Sequence, residues 1–283
     1  MNWGQIKNIK PQKHLKEILL LSIPIISVQM YTQFDRTMVM LLSDNTNSGL
    51  YDQSLKMAKI INPFISSLSI AILPRIANLY YSNNSLEIKR LLNKSLSFTI
   101  ITGLFLYGMV ILISPQFVLL FFGESFPSII IMVQLASILI VLIPIGGVFS
   151  NQIALPLNRT RAFVLPTIIG ALLNILLGVL LIPKNGAIGA IYSIIMTEFV
   201  VCSIRIYMVK DFISIKKHLI EHIYFITIYI ILVFVGSILN GILIFSTIVN
   251  TIILITMYIF MYFIFIIFNK NHRNKLFNFI SRR

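Results

Sequence analysis

The sequence predicts an all-α, polytopic membrane helix bundle of about eight transmembrane helices, one six-helix lobe plus two extra helices. Three observations predict it. Eight long apolar stretches fill the chain, at roughly 15–42, 50–80, 91–113, 128–157, 163–183, 187–209, 223–239 and 242–268. A bilayer core of about 30 Å asks for about 20 helical residues, and each stretch is near or above that length. Hydrophobic residues make up 57% of the chain and charged residues 11%, with a mean hydropathy of +0.91. That balance leaves too little polar surface for a soluble domain. Finally, 19 of the 23 Lys and Arg residues fall in the N-terminus, the alternate gaps with their flanks, or the C-terminal tail, and only Lys184 lies in an opposite gap. By the positive-inside rule both termini are cytoplasmic.

Four regions follow: a basic N-terminus (1–14), a six-helix lobe (15–212), a helix pair (213–268) and a basic tail (269–283). The outer turns are expected at 44–49, 184–186 and 239–241, and the cytoplasmic connectors at 82–94, 158–161 and 210–222. The apolar run 116–126 follows Pro115 and is too short to span, so it reads as an interfacial or re-entrant helix with Glu124 near water, or as an extension of the next helix. A net charge of +14 does not indicate nucleic acid, because the positives are scattered over short loops and suit anionic lipid head groups. Cys202 is the only cysteine, so there is neither a disulfide framework nor a thiolate metal site.

Charge inside a bilayer costs about 2.5–3.5 kcal/mol per central residue on insertion scales, so each such residue needs a reason. On the first helix Ser22, Gln29, Gln33 and Arg36 fall on one face. On the second, Asp52, Lys56, Lys59 and Ser66 form another stripe. Arg36 and Lys56 each lie roughly 10 Å below the outer boundary and Lys59 roughly 15 Å, at about 1.5 Å per residue. The two stripes are expected to present Arg36, Lys56 and Lys59 to one water-filled, anion-attracting cavity, with Asp35 and Asp52 as counter-charges. The plainer alternative is mutual neutralisation within a packed bundle. Lys59 is the deepest of the three and has no obvious acidic partner. Glu198 is the other deep charge, either a coupling-ion site or a carboxylic acid hydrogen-bonded locally.

Catalytic patterns are scarce. His218-Leu-Ile-Glu221-His222 fits the H-x-x-E-H zinc pattern, but it lies at a membrane boundary beside Lys216 and Lys217 with no third ligand evident downstream. No metal, no cofactor and no enzymatic activity are expected.

Several motifs resemble a known family. Ile23-Pro24, QMYTQFDRT (29–37), GLYDQSLKMA (49–58), LPRIAN (73–78), FFGESF (121–126), the run 174–190 and Thr197-Glu198 resemble, in order, the C-terminal half of Wzx-type flippases. Those are the lipid-linked oligosaccharide transporters of the multidrug/oligosaccharidyl-lipid/polysaccharide exporter superfamily. Gly178 departs from the polar residue, often Asn, expected there. The resemblance covers about residues 15–210. It implies a transporter of lipid-pyrophosphate-linked repeat units for surface polysaccharide such as O-antigen or capsule, working through a cavity between two six-helix lobes. The chain then corresponds to the second lobe with its extra pair, and the partner would be an N-terminal six-helix half. Alternatives are a truncated or accessory non-transporting subunit, a multidrug/cation antiporter of the same superfamily, and a membrane-embedded glycan polymerase or ligase.

Overall fold

A computed structural model describes residues 11–213, 215–242 and 247–268. The start of the basic N-terminus and the basic tail (269–283) lie outside the described residues. The helices are α1 (Pro11–Leu42), α2 (Asn45–Lys59), α3 (Asn62–Tyr81), α4 (Ser85–Phe122), α5 (Ser128–Ala136), α6 (Leu139–Phe149) continued by a π-helical turn (Ser150–Ala154), α7 (Thr160–Met208), α8 (Ile215–Ile242) and α9 (Thr247–Phe268). Among the described residues α4, the 128–154 unit, α7 and α8 are each long and apolar enough to cross a membrane. The pair α2 and α3, bent by 50°, passes as one broken span. The second apolar stretch is therefore interrupted between Lys59 and Asn62, just ahead of Pro63.

Polar gaps are shorter than the sequence predicts, because capping side chains start the helices early. Asp44 accepts from the backbone N of Asn47 at 2.6 Å, so most of the expected 44–49 turn is the first turn of α2. Asn84 accepts from the backbone N of Glu87 at 3.2 Å and begins α4 inside the expected connector. The expected turn at 239–241 is helical too, since α8 runs on to Ile242.

Neither the re-entrant reading of 116–126 nor its reading as an extension of the next helix holds. Residues 116–122 are the end of α4, which passes straight through Pro115. Proline there frees the Ile111 carbonyl, and two side chains take it: Ser114 Oγ at 3.0 Å and Gln134 Nε2, from α5, at 3.2 Å. The helix ends at Gly123, whose φ of 69° suits glycine, and Glu124 is exposed in the following loop.

α7 is two limbs, 160–185 and 187–208, folded back on one another at Gly186 (φ 55°, ψ −132°). Ser193 Oγ donates to the Asn174 carbonyl at 3.0 Å, and a Cβ on Gly189 would collide with the Leu181 carbonyl. Glycine is required there because the limbs touch backbone to backbone. Counting the limbs separately and α2–α3 and α5–α6 as units, the eight apolar stretches of the sequence map onto the bundle one for one.

The turns sort to two ends. Ser43 and Asn47 sit beside Gly186 at one end. At the other, Arg75 meets Glu87 (3.8 Å), Arg159 grips Asp211 (2.5 and 2.9 Å), and His218 meets Asn93 (2.9 Å). The basic connectors thus share one end, as positive-inside sorting requires. An apolar core fills each half of the bundle, one around Leu92, Phe149 and Phe225, the other around Tyr31, Val39 and Ile191. Large apolar side chains such as Leu41, Phe64, Leu172 and Phe199 remain more than half exposed, which suits contact with lipid tails.

Candidate functional site

α1 and α2 are antiparallel neighbours, and together they carry two polar clusters on different sides. The outer one faces away from the bundle. Asp52 lies 2.7 Å from Lys56 Nζ and 3.8 Å from Arg36 Nη1, so one carboxylate serves two cations. The Arg36 and Lys56 side chains remain 57% and 63% exposed. Gln29 and Gln33 continue this exposed face along α1. The result is a polar strip with a local charge of about +1, set below the 43–44 turn at a depth where a lipid-facing surface would be apolar.

The inner cluster is enclosed. Asp35 is fully buried, on a face of α1 about 100° round from that of Arg36. Tyr51 Oη donates to its Oδ2 at 2.9 Å, and Asn174 Nδ2, from α7, reaches the same atom at 3.3 Å. Asn174 Nδ2 also lies 3.3 Å from Ser193 Oγ. One turn deeper, Tyr31 Oη donates to Glu198 Oε1 at 2.5 Å, so the local partner of this acid comes from α1 rather than from Thr197. Lys59, half-buried at the α2 break, is within electrostatic reach of both Asp35 and Glu198. Arg205, on the second limb of α7, lies within reach of Tyr31 and packs against Gly146 of α6. Asp35 Oδ1 and Asn174 Oδ1 are buried and accept no hydrogen bond among the described residues.

The structure therefore divides the expected set. Gln29, Gln33, Arg36, Asp52 and Lys56 share the exposed face. Asp35 turns inward and is not a counter-charge for Arg36 or Lys56, because successive residues of a helix point about 100° apart. Lys59 is separated from Lys56 and does have acidic groups around it. Ser66 lies half-buried on α3, beyond the bend. Residues of the inner cluster that the sequence did not single out are Tyr31, Tyr51, Asn174, Ser193 and Arg205. For Asn174 a signal existed: it stands between Gly170 and Gly178 at spacings of four, a small-residue stripe of the kind that lets helices approach closely.

No protein-family model matches the chain. Over 219 residues, 76% of the chain, it is 26% identical to the uncharacterized membrane protein MJ1375 of Methanocaldococcus jannaschii, covering 50% of that protein. In three dimensions it is similar to the lipid II flippase MurJ in an inward closed conformation. The TM-score is 0.65 at 18% identity, over 93% of this chain and 56% of MurJ. At that identity the likeness is one of fold. The chain spans about half the length of each of these proteins.

Proposed function

We propose that this chain forms the cavity-lining second lobe of a flippase that moves lipid-pyrophosphate-linked oligosaccharides across the bacterial inner membrane, its termini in the cytoplasm. One observation carries the reading: Arg36 and Lys56 stay more than half exposed at membrane depth, on a fold similar to that of a lipid flippase. Charged side chains at that depth face water or protein rather than lipid tails. Water and a facing lobe are what a central transport cavity supplies. A pyrophosphate passing along such a wall would take charge-assisted hydrogen bonds from the guanidinium and ammonium groups. Glu198 and Asp35, enclosed behind that wall, are the groups at which a coupling proton or cation would act. Surface polysaccharide repeat units are the substrate implied by the motifs at 29–37, 49–58 and 121–126. A drug/cation antiporter would favour an acidic wall, and the excess positive charge of the outer strip speaks against it.

The test is polysaccharide export in a flippase-null strain that also carries a matching six-span N-terminal half, normalised to membrane protein level. Arg36→Ala or Lys56→Ala alone should lower export roughly tenfold to hundredfold at unchanged protein level, since each charge-assisted contact contributes about 1.5–3 kcal/mol. Undiminished export from the Arg36/Lys56/Lys59 triple alanine variant would remove the reading.

A further inference from the structure

His218, Glu221 and His222 take no part in either polar cluster, yet the fold gathers them. They lie in the first two turns of α8, which packs along α4 at the end of the bundle holding the basic connectors. One ligand atom from each residue lies within 4.8 Å of the others. Both histidines are buried, at 6% and 1% exposure, while Glu221 is exposed.

Hydrogen bonds set which ring nitrogen of each histidine can act as a ligand. His218 Nε2 lies 2.9 Å from Asn93 Oδ1 on α4, and His222 Nδ1 lies 2.7 Å from the His218 carbonyl. Both partners are oxygens that only accept, so each of these ring nitrogens carries the hydrogen. The neutral rings then keep their lone pairs on His218 Nδ1 and His222 Nε2. Metal-binding histidines are oriented in the same way, by a second ring N–H given to a carbonyl or carboxylate. With bonds of about 2.0–2.1 Å, tetrahedral ligands stand about 3.3 Å apart, so the three groups would draw together by up to about 1.5 Å around an ion.

We infer that His218 Nδ1, His222 Nε2 and the Glu221 carboxylate form a binding site for a divalent first-row transition metal of the zinc type. Two imidazoles and one carboxylate suit zinc and its neighbours rather than magnesium or calcium, which take oxygen ligands. Three protein ligands leave a fourth position for water on the exposed, Glu221 side. The site is independent of the transport reading. Its effect would be to clamp the start of α8 to α4 through Asn93.

The chain has only four histidines and one buried cysteine, so competing soft ligands are few. Full-length protein without a polyhistidine tag is titrated with Co²⁺ in detergent, following the visible d–d absorption and metal content after desalting. The expected result is saturable binding at one metal per chain, displaced by Zn²⁺ and unchanged in the His14→Gln/His272→Gln variant. His222→Gln should abolish it. Asn93→Ala should weaken it roughly 10–100-fold, as loss of an orienting partner does. Because His222 is buried, Glu221→Gln provides a variant at an exposed position, and it should weaken binding at unchanged melting temperature. Absence of stoichiometric binding in the native chain, or the same isotherm in Glu221→Gln, overturns the site.

Discussion

The two polar faces of α1 and α2 are built from adjacent residues yet meet opposite fates. Asp35 is sealed in the bundle with a tyrosine, an asparagine and a half-buried lysine around it, whereas Arg36, one residue on, stands exposed beside Asp52. The inner cluster is bonded across helices, Asp35 to Tyr51 of α2 and Asn174 of α7, and Glu198 of α7 to Tyr31 of α1, so it ties the helices together. On the outer face a single carboxylate serves two cations, which leaves a net positive charge exposed. Buried polar groups of the first kind contribute to stability, while exposed groups of the second kind can be spent on a ligand.

The comparison is broken most forcefully at Asp35. Asp35→Ala leaves the Tyr51 hydroxyl buried without its acceptor and the Asn174 amide with Ser193 alone, and should destabilise the protein by about 3 kcal/mol. Thermal melting in detergent measures this; a variant that melts with the native protein would show that the inner cluster holds nothing. Arg36→Ala should cost less than about 1 kcal/mol in the same assay, because exposed ion pairs contribute little. A finer contrast is Tyr51→Phe, which removes one hydrogen bond and keeps the ring, at a cost of about 1–1.5 kcal/mol.

The smallest effect calibrates exposed charge at the basic end. Arg159 binds Asp211 with both guanidinium arms and holds its carboxyl below the usual range, chiefly through that hydrogen bond. A lowered folded pKa means the stabilisation is fully present above the ordinary aspartate value of about 3.9 and is lost as pH falls through the lowered one. Asp211→Asn should therefore cost up to about 1 kcal/mol at pH 7, with a flat difference from pH 5 to 8, and should converge with the native protein in strong acid. A stability difference that changes between pH 5 and 8 would assign the effect to another group.

Much of this architecture could be read in the chain, and the errors have physical causes. Apolar stretches and basic gaps located the spans, because lipid imposes length and composition directly. Helix ends were misread where Asp44 and Asn84 cap, since a capped helix continues past its hydrophobic run. Pro115 suggested a break, and the carbonyl it frees is rescued by Gln134 from another helix, a contact without local trace. Helical spacing joined Asp52 to Lys56, but it also put Lys59 and Ser66 on that stripe, and the bend after Lys59 and the half-buried positions of both take them off it. Asp35 was grouped with it by charge although its angle on α1 already set it apart. Tyr51 and Asn174 could not be joined to Asp35 from the sequence, because 16 and 139 positions separate each pair.

Those separations give the fold an order of assembly. The two limbs of α7 are joined across 19 positions by the Asn174–Ser193 bonds, so they can pair while the later part of the chain is still being made. The same Asn174 reaches Asp35 across 139 positions, and that contact waits until α1 and the finished hairpin meet. Local contacts form quickly and distant ones carry a larger loop-closure cost. Asn174 is therefore the hinge pin between an early event and a late one: it closes the α7 hairpin first and then receives the helix that was synthesised long before it.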